Sequence, residues 1–514
     1  MAKKVFYDED ARQRLLAGAE ILFNAVKTTM GPKGRNVVIS KGYGSPTVTH
    51  DGVTVAKGID LPETEETMGY KTGAELIKQA ASKMNDIAGD GTTTVTVLTY
   101  HILNEANKLI AAGHNPMQLR KGLEEATREV LVGLEKLRED IAGDSKRVAE
   151  VATISAGDAA IGELIAGVIA KVGKDGVVTV EEGQGLAMES EVVEGFTFDR
   201  GFVSPYMVTD TSRMEAVYDK PLILITDKKI SSVQEFLPIL EKVAQTGKKD
   251  LVIIAEDIEG EALGTLILNR LKGVFNTIAI KAPAFGDRRK EVLQDIAVLT
   301  GGQVISEEQG FTFENADVAM LGTARRVIVD KDNTTIIEGG GSQAALKERI
   351  SQITAQGSNA SSEYEKENFD KRRAALDGKV AVIKVGGATE TEIEEKKFRV
   401  DDAVAAVKAA LDEGIVSGGG VTLVNLASSI SGDDAGKSLL KNALVQPFVQ
   451  LMENAGLNAQ ALLAQVQSAK PGQGVNVNTP EAGLADMKKS GVVDPARVTK
   501  EAILNASSIA GTAM

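Results

Sequence analysis

The hydrophobic period of this chain changes twice along its length, and that change limits the fold more than any single motif. After the acidic first turn "DEDARQ", Leu15, Leu16, Ala19, Leu22, Phe23 and Val26 recur near helical spacing until "MGPKG" stops them. "NVVIS" then reads as a short strand, with "GYGSPT" and "THDG" as turns. Met68, Leu76, Ile77, Ala80, Met84 and Ile87 mark a second helix, and Val95, Leu98, Ile102, Leu109 and Ile110 a third. The middle of the chain follows another rule. "LILITD", "LVIIAED", "TIAIKA" and "QVIS" are short apolar runs of strand type, separated by helical patterns at 231–245, 259–272 and 287–299. Such alternation predicts an α/β layer with a largely parallel sheet. "ASSEYEKENFDKRRAAL" follows as a charged helix. "AVIKVGGATETEIEEKKFRVDDAVAAVKAALDEG" then predicts a strand, a glycine turn, a Thr cap and a long helix with Ile393, Val400, Val404, Val407 and Leu411 on one side. Helical patterns return around "SGGGVTL". This order predicts a multidomain α and α/β fold, in which an inserted α/β domain splits a helical one.

Length agrees, since 514 residues exceed one ordinary core and call for two or three domains. The chain carries 58 basic and 72 acidic residues, a net charge of −14, which argues against broad binding to nucleic acid or anionic membranes. No stretch approaches the roughly 20 apolar residues that cross a bilayer. "MAKKVFYDEDARQRLLAG" lacks the apolar core of a secretory signal, so the expected location is cytoplasmic. The absence of cysteine rules out disulfides, thiol catalysis and cysteine-ligated metal. His50, His101 and His114 lie far apart, which disfavours a His-rich metal site.

Between the second and third helices lies "NDIAGDGTTTVTV", with one carboxylate between two glycines and then three threonines. Glycine and β-branched residues are poor helix formers, so this junction has a composition its flanks would not choose. A helix start offers partnerless N–H groups and partial positive charge, a natural anion site. Gly89 and Gly91 permit close backbone approach, and Thr92, Thr93 and Thr94 add hydroxyls as ligands and caps. Phosphate suits that edge. Asp90 would repel it unless a cation intervened, and Mg²⁺ commonly binds one or two carboxylates together with phosphate oxygens. The plainer alternative is that Asp90 caps the helix and Gly91 turns the chain. A second loop, "TTMGPKGRN", adds Gly31, Gly34, Lys33 and Arg35 as a cover for phosphates, with a solvated surface turn as its alternative. No Walker A sequence exists. "SGDDAGKS" is one residue short and carries Asp433 and Asp434, so it reads as a loop, and "EGQGLAM" lacks the third glycine of a dinucleotide fingerprint. Asp51 in "THDGVT" and one acid of "VDDA" could act on water for phosphoanhydride hydrolysis. Spacing alone does not choose between Asp401 and Asp402.

In the α/β part, one helix carries Val233, Phe236, Leu237, Ile239, Leu240, Val243 and Ala244. The next carries Leu263, Leu266, Ile267, Leu268 and Leu271. Both arcs exceed the stripe of about 100° that a surface helix buries. Either the domain itself covers the excess, or the helices form an exposed groove for apolar partners.

In order along the chain, "TTMGPKGRNVV", "THDGVTVAK", "NDIAGDGTTTVTVL", "GHNPMQLRKG", "VATISAG", "FDRGFVSPY", "IIAEDIEGEAL", "KAPAFGDRRK", "LTGG", "NTTII", "EKKFRVDDA" and "GIVSGGGVTL" resemble the group I chaperonins, the GroEL family. The resemblance implies an ATPase that drives protein folding as a heptameric ring. It implies an equatorial domain at 1–137 and 413–514, an α/β intermediate hinge at 138–193 and 381–412, and an apical domain at 194–380. Carried over by position, Thr29, Met30, Gly31, Pro32 and Lys33 would lie by the nucleotide. Asp90 would hold Mg²⁺, and Gly91, Thr92, Thr93 and Thr94 would contact phosphates. Gly419, Asn476, Val477 and Asp494 would contact adenosine, and the Thr29 backbone would bind K⁺. Asp51 would position water, and Asp402 would be the hydrolytic carboxylate. Phe202, Ser204, Tyr206, Met207, Leu237, Leu240, Glu241, Ala244, Glu261, Leu263, Ile267, Leu268 and Asn269 match positions that grip non-native polypeptides or a GroES-type lid cochaperonin.

Some positions depart from the family pattern. His50 replaces a lysine. Val449 and Asn458 stand where an ion pair commonly links opposed rings, which leaves single and double rings both open. The family's carboxyl-terminal strand and Gly-Met-rich tail do not follow "SSIAGTAM", which implies either weaker packing within the ring or a chain cut short of its natural end. Two rivals use the same residues: a ring-forming scaffold with weak ATPase activity, and a phosphotransferase. Intact Asp51, Asp90 and Asp402 disfavour the scaffold, and the broad apolar groove disfavours the phosphotransferase.

Overall fold

The computed structural model describes residues 4–514 apart from 41–45, 142, 175, 184, 212 and 361. The chain forms two compact units. Met1–Lys174, Val180–Ser190 and Ile383–Met514 make the first, and Asp175–Thr179 with Glu191–Val382 the second.

The first unit opens with α1 (Asp8–Val26), a two-stranded ribbon of β1 (Val37–Ile39) and β2 (Thr47–Thr49), and the short α2 (Gly52–Gly58). Residues 42–45 of the "GYGSPT" turn lie outside the described residues. "THDG" is not a hairpin turn, because Asp51 caps α2 by accepting hydrogen bonds from the Val53 and Thr54 N–H groups. Then come α3 (Tyr70–Ala88), α4 (Thr92–Ala111), α5 (Pro116–Leu137), α6 (Ser145–Ala156) and α7 (Ala159–Val172). α4 is buried almost all round from Val95 to Tyr100, because it lies between two cores. Leu98 and Ile102 pack with Leu119, Leu123 and Ile503, while Val97 and Tyr100 pack with Leu22, Phe23 and Ile77. The Thr96 and Thr99 hydroxyls inside it donate to the Thr92 and Val95 carbonyls, which satisfies them without leaving the helix.

The second unit holds most of a ten-stranded sheet, three of whose strands include residues of the first unit. In chain order it comprises β3 (Val177–Glu182), β4 (Glu189–Phe198), β5 (Ala216–Asp219), β6 (Leu222–Thr226), a short β7 (Lys229–Ile230), α8 (Val233–Gln245), β8 (Asp250–Ala255), β9 (Asp257–Ile258), α9 (Gly260–Leu271), β10 (Asn276–Lys281), α10 (Asp287–Thr300) and β11 (Val304–Ile305). It continues with β12 (Gly322–Val329), β13 (Thr334–Gly339), α11 (Gln343–Asn359), α12 (Glu363–Leu376) and β14 (Lys379–Val385). The strand order is β10-β8-β6-β12-β13-β4-β14-β3, with β11 beside β6 and β5 beside β12; β7 and β9 form a separate pair. β10, β8, β6 and β11 are parallel. β12 is antiparallel to β5, β6 and β13, and β13 to β4. The sheet is therefore mixed, not largely parallel. The antiparallel half escaped the period test because a strand such as "GTARRVIV" keeps arginines among its apolar residues. Charge in α12 also has a structural use. Asp295 of α10, 1% exposed, takes the Arg349 Nε and Arg372 Nε at 2.7 Å each and so ties α10, α11 and α12 together.

The first unit continues with α13 (Glu390–Glu413), capped by Thr389, whose side chain accepts from the Glu392 N–H. β15 (Ile415–Ser417), α14 (Val421–Ser429), α15 (Ala435–Leu444), α16 (Gln446–Asn454) and α17 (Ala459–Ser468) follow. β16 (Gln473–Val475), β17 (Leu484–Asp486), β18 (Val493–Pro495) and α18 (Ala496–Ala513) complete it. Asp434 caps α15, so "SGDDAGKS" is a helix start, not a loop, and Lys437 Nζ meets Glu129 Oε1 at 2.6 Å. In "EGQGLAM" residue 184 lies outside the described residues, and the described ones form no helix. Val449 is 6% exposed within the core, and Asn458 caps α17.

Candidate functional site

Helix starts and tight turns gather the predicted polar residues of the first unit. Gly89 ends α3 at φ +66° and Gly91 opens α4 at φ +79°, left-handed values that an L side chain resists, so the chain reverses within three residues and leaves Asp90 at the apex. No side chain caps α4 among the described residues. The threonines are therefore its first turn and not its caps. The 27–35 loop reaches that turn through Thr29, whose hydroxyl lies 3.0 Å from the Thr93 hydroxyl and also donates to the Val26 carbonyl. Asn454 Nδ2 holds this loop by donating to the Lys27 and Met30 carbonyls at 3.0 Å each. Thr29 and Met30 are buried, while Gly31, Pro32 and Lys33 are exposed. The start of α2 arrives from another side. A Cβ on Gly52 would stand 2.5 Å from Thr93 Oγ1 and 2.8 Å from Thr92 Oγ1, so only glycine fits there.

The acids at this junction are under electrostatic load. Asp90 Oδ1 accepts the Gly91 N–H at 2.5 Å, and Oδ2 accepts the Ser155 hydroxyl of α6 at 3.2 Å. Burial, with the Asp51 charge adding to it, nonetheless raises the Asp90 pKa above the usual carboxylate value. Asp494, on β18 opposite Val416, is pushed up to about 7 by burial and then by the Asp90 charge. Two desolvated carboxyls that oppose each other's ionisation form a place where a bound cation relieves both penalties. Among the described residues no group of three or more His, Cys, Asp or Glu has metal-site geometry. A hard cation that completes its shell with phosphate and water requires fewer protein ligands than that.

Asp494 links this acid pair to the other predicted nucleotide residues. Its Oδ1 would lie 3.0 Å from a Cβ on Gly418, and Gly419 (φ +67°) lies against the Met487 methyl. Val477 packs against the same core as Met487, and Asn476 accepts the Asn478 N–H with its side chain.

α13 closes the arrangement. A Cβ on Gly89 would meet that of Ala405 at 2.3 Å, so this helix lies directly on the α3–α4 turn. Further back, Glu395 Oε1 is 3.5 Å from His50 Nδ1, beside Asp51. Residues 395, 402 and 405 share one helix face, so Asp402 lies between these two contacts. Asp401 is rotated off that face by one position.

In the second unit, Tyr206 (72% exposed), Leu237 (42%) and Leu268 (56%) are exposed apolar side chains on or near α8 and α9. Leu271 and Val274 continue the patch. Glu241, Ala244 and Glu261 are exposed, and Phe202, Leu263, Ile267 and Asn269 half-buried. Met207, Ser204 and Leu240 are instead buried, so they support the surface from beneath. The domain's own core covers part of each apolar arc through Phe236, Ile239, Val243 and Leu266, and leaves the rest exposed.

Sequence reasoning gave no role to Ser155 or Glu395. "VATISAG" and "EKKFRVDDA" flagged the segments, but neither hydroxyl nor carboxylate has a spacing that reveals a partner far along the chain.

The model of the TCP-1/cpn60 chaperonin family matches residues 22–514. The chain belongs to that family, and with membership come the multidomain α and α/β chaperonin fold and a chaperone role in protein folding. No helix among the described residues is long and apolar enough to cross a membrane.

Proposed function

We propose that this chain is a group I, GroEL-type chaperonin that binds and hydrolyses ATP in its first unit and captures non-native polypeptides on its second. The observation that carries the reading is the seating of α13, which sets Asp402 between the Glu395–His50 contact and the Ala405–Gly89 contact, over the turn that bears Asp90. The first turn of α4 and the hydroxyls of Thr29, Thr92 and Thr93 suit a triphosphate. Gly31, Pro32 and Lys33 cover it, and Gly419, Asn476, Val477 and Asp494 receive the nucleoside. Asp90 would hold Mg²⁺, which supplies neutralising charge when bound, and the Thr29 carbonyl side of the loop would suit K⁺. Asp51, fixed by the Val53 and Thr54 N–H groups, orients the attacking water. Asp402 accepts its proton.

The exposed side chains Tyr206, Leu237 and Leu268 form the client surface, which a lid cochaperonin of the GroES type would share. A homo-oligomeric ring of seven such surfaces holds a misfolded chain by many weak contacts. ATP releases it only if nucleotide favours a state with lower client affinity. Residues 1–137 and 413–514 then serve as the equatorial domain, 138–193 and 381–412 as the hinge, and 194–380 as the apical domain, in a cytoplasmic protein. Steady-state ATP hydrolysis by Asp402→Ala tests the reading, and undiminished turnover would overturn it.

A further inference from the structure

One contact described above has no part in that chemistry. His50 Nδ1 and Glu395 Oε1 stand 3.5 Å apart, with the imidazole 33% and the carboxylate 14% exposed. Glu395 is gripped from its own helix by Arg399, whose Nε donates to Oε1 at 2.7 Å. Burial works against its charge, but its interactions with His50 and Arg399 prevail and hold its pKa below the ordinary value. Glu395 is thus an anion at neutral pH. At 3.5 Å a neutral imidazole makes at best a poor hydrogen bond, whereas an imidazolium at that distance still attracts a carboxylate. The strength of this contact therefore depends on a proton. Histidine is the side chain whose charge ordinarily changes between about pH 5 and 8.

The other charged groups around His50 are Asp51 beside it, Asp90 from the α3–α4 turn, whose carboxyl feels the imidazole charge, and Arg399 behind Glu395. Two of these three are carboxylates outside the pair. α13 is consequently seated at two points of different character. Ala405 on Gly89 is a steric stop, and Glu395 on His50 is an electrostatic clasp.

We propose that His50 and Glu395 form a proton-sensitive latch that holds α13, and with it Asp402, on the Asp51–Asp90 junction more firmly when the imidazole is charged. Both are positioning residues. The kinetic consequence rests on the ATPase reading; the latch itself does not, because it is a property of the nucleotide-free protein.

The test uses the assembled full chain as wild type, His50→Ala, Glu395→Gln and His50→Lys, the last carrying a permanent cation. Amide exchange over residues 390–405 is measured without nucleotide at about pH 6 and about pH 8, and kcat and KM for ATP at the same values. Comparison at fixed pH removes the intrinsic pH dependence of exchange. At the lower pH, His50→Ala and Glu395→Gln should exchange about two- to fivefold faster than wild type, the scale of a part-exposed ion pair. Wild type should join them at the higher pH, while His50→Lys stays protected at both. kcat should follow the same pattern with KM little changed. Parallel pH profiles for wild type and His50→Lys would overturn the latch, as would unaltered exchange in Glu395→Gln at the lower pH. Exchange that behaves as expected in a protein that hydrolyses no ATP would support the latch and sink the ATPase reading alone.

Discussion

The α3–α4 junction and the α8–α9 surface solve opposite problems with the same kind of element. At the junction, polar groups are drawn inside and held from several directions: Asp90 by Gly91 and Ser155, Thr29 by Val26 and Thr93, Asp51 by Val53 and Thr54. On the surface, Leu268 and Tyr206 are left facing water. Electrostatic work requires a low dielectric and fixed dipoles. Capture of an exposed hydrophobic chain requires exposed apolar area. The first arrangement costs stability through desolvated charge and the second through unburied carbon, and a folded core elsewhere in each unit offsets the loss.

The comparison breaks most sharply at Asp402. Its replacement by alanine should lower ATP turnover by roughly 10²- to 10⁴-fold, the range for removing a general base, with nucleotide affinity retained in a filter or fluorescence assay. Next comes the contrast between buried and exposed apolar residues of one surface. Met207→Ala should destabilise the second unit by about 2–5 kcal/mol in chemical unfolding. Leu268→Ala should change it by no more than about 0.5 kcal/mol. A smaller effect is expected at Asp494. Its carboxyl stays protonated in the folded protein up to about pH 7, whereas the unfolded chain ionises from its ordinary 3.8. Stability of the nucleotide-free protein should fall as pH rises between those values and level off above them. Asp494→Asn should remove that decline, so in chemical unfolding its stability equals that of wild type in acid and exceeds it at pH above about 7, by a few kcal/mol at about 1.4 per pKa unit. The smallest effect belongs to Leu237→Ser, which should weaken capture of a denatured protein by about two- to tenfold, because many other contacts in a ring remain. Its ATP turnover should be unchanged; a parallel loss of turnover would mean that the two regions are not separable.

Most helices and the buried parallel strands were legible because period records burial, as with "LILITD" and the Val400–Leu411 face. The polar antiparallel strands were not, since period fails where arginines share a strand with valines. Asp51 shows a subtler limit. "THDG" carries both a turn signal and a cap signal, and only the seating of α2 against Thr92 and Thr93 decides between them. Local chemistry announced Asp90 and its glycines. It could not announce that burial, with Asp51 adding its charge, would load that carboxyl, or that Asp494 would share the strain, because those effects arise from approach in space.

Ala405 and Gly89 are the two smallest residues available, and they meet so closely that one added methyl on the turn leaves no room. Side-chain bulk at 405 thus acts as a shim beneath the helix. A series from alanine through serine and valine to leucine would lift Asp402 in graded steps. On the proposed ATPase reading, turnover should decline along the series while nucleotide affinity holds, which makes this one spot a calibrated dial.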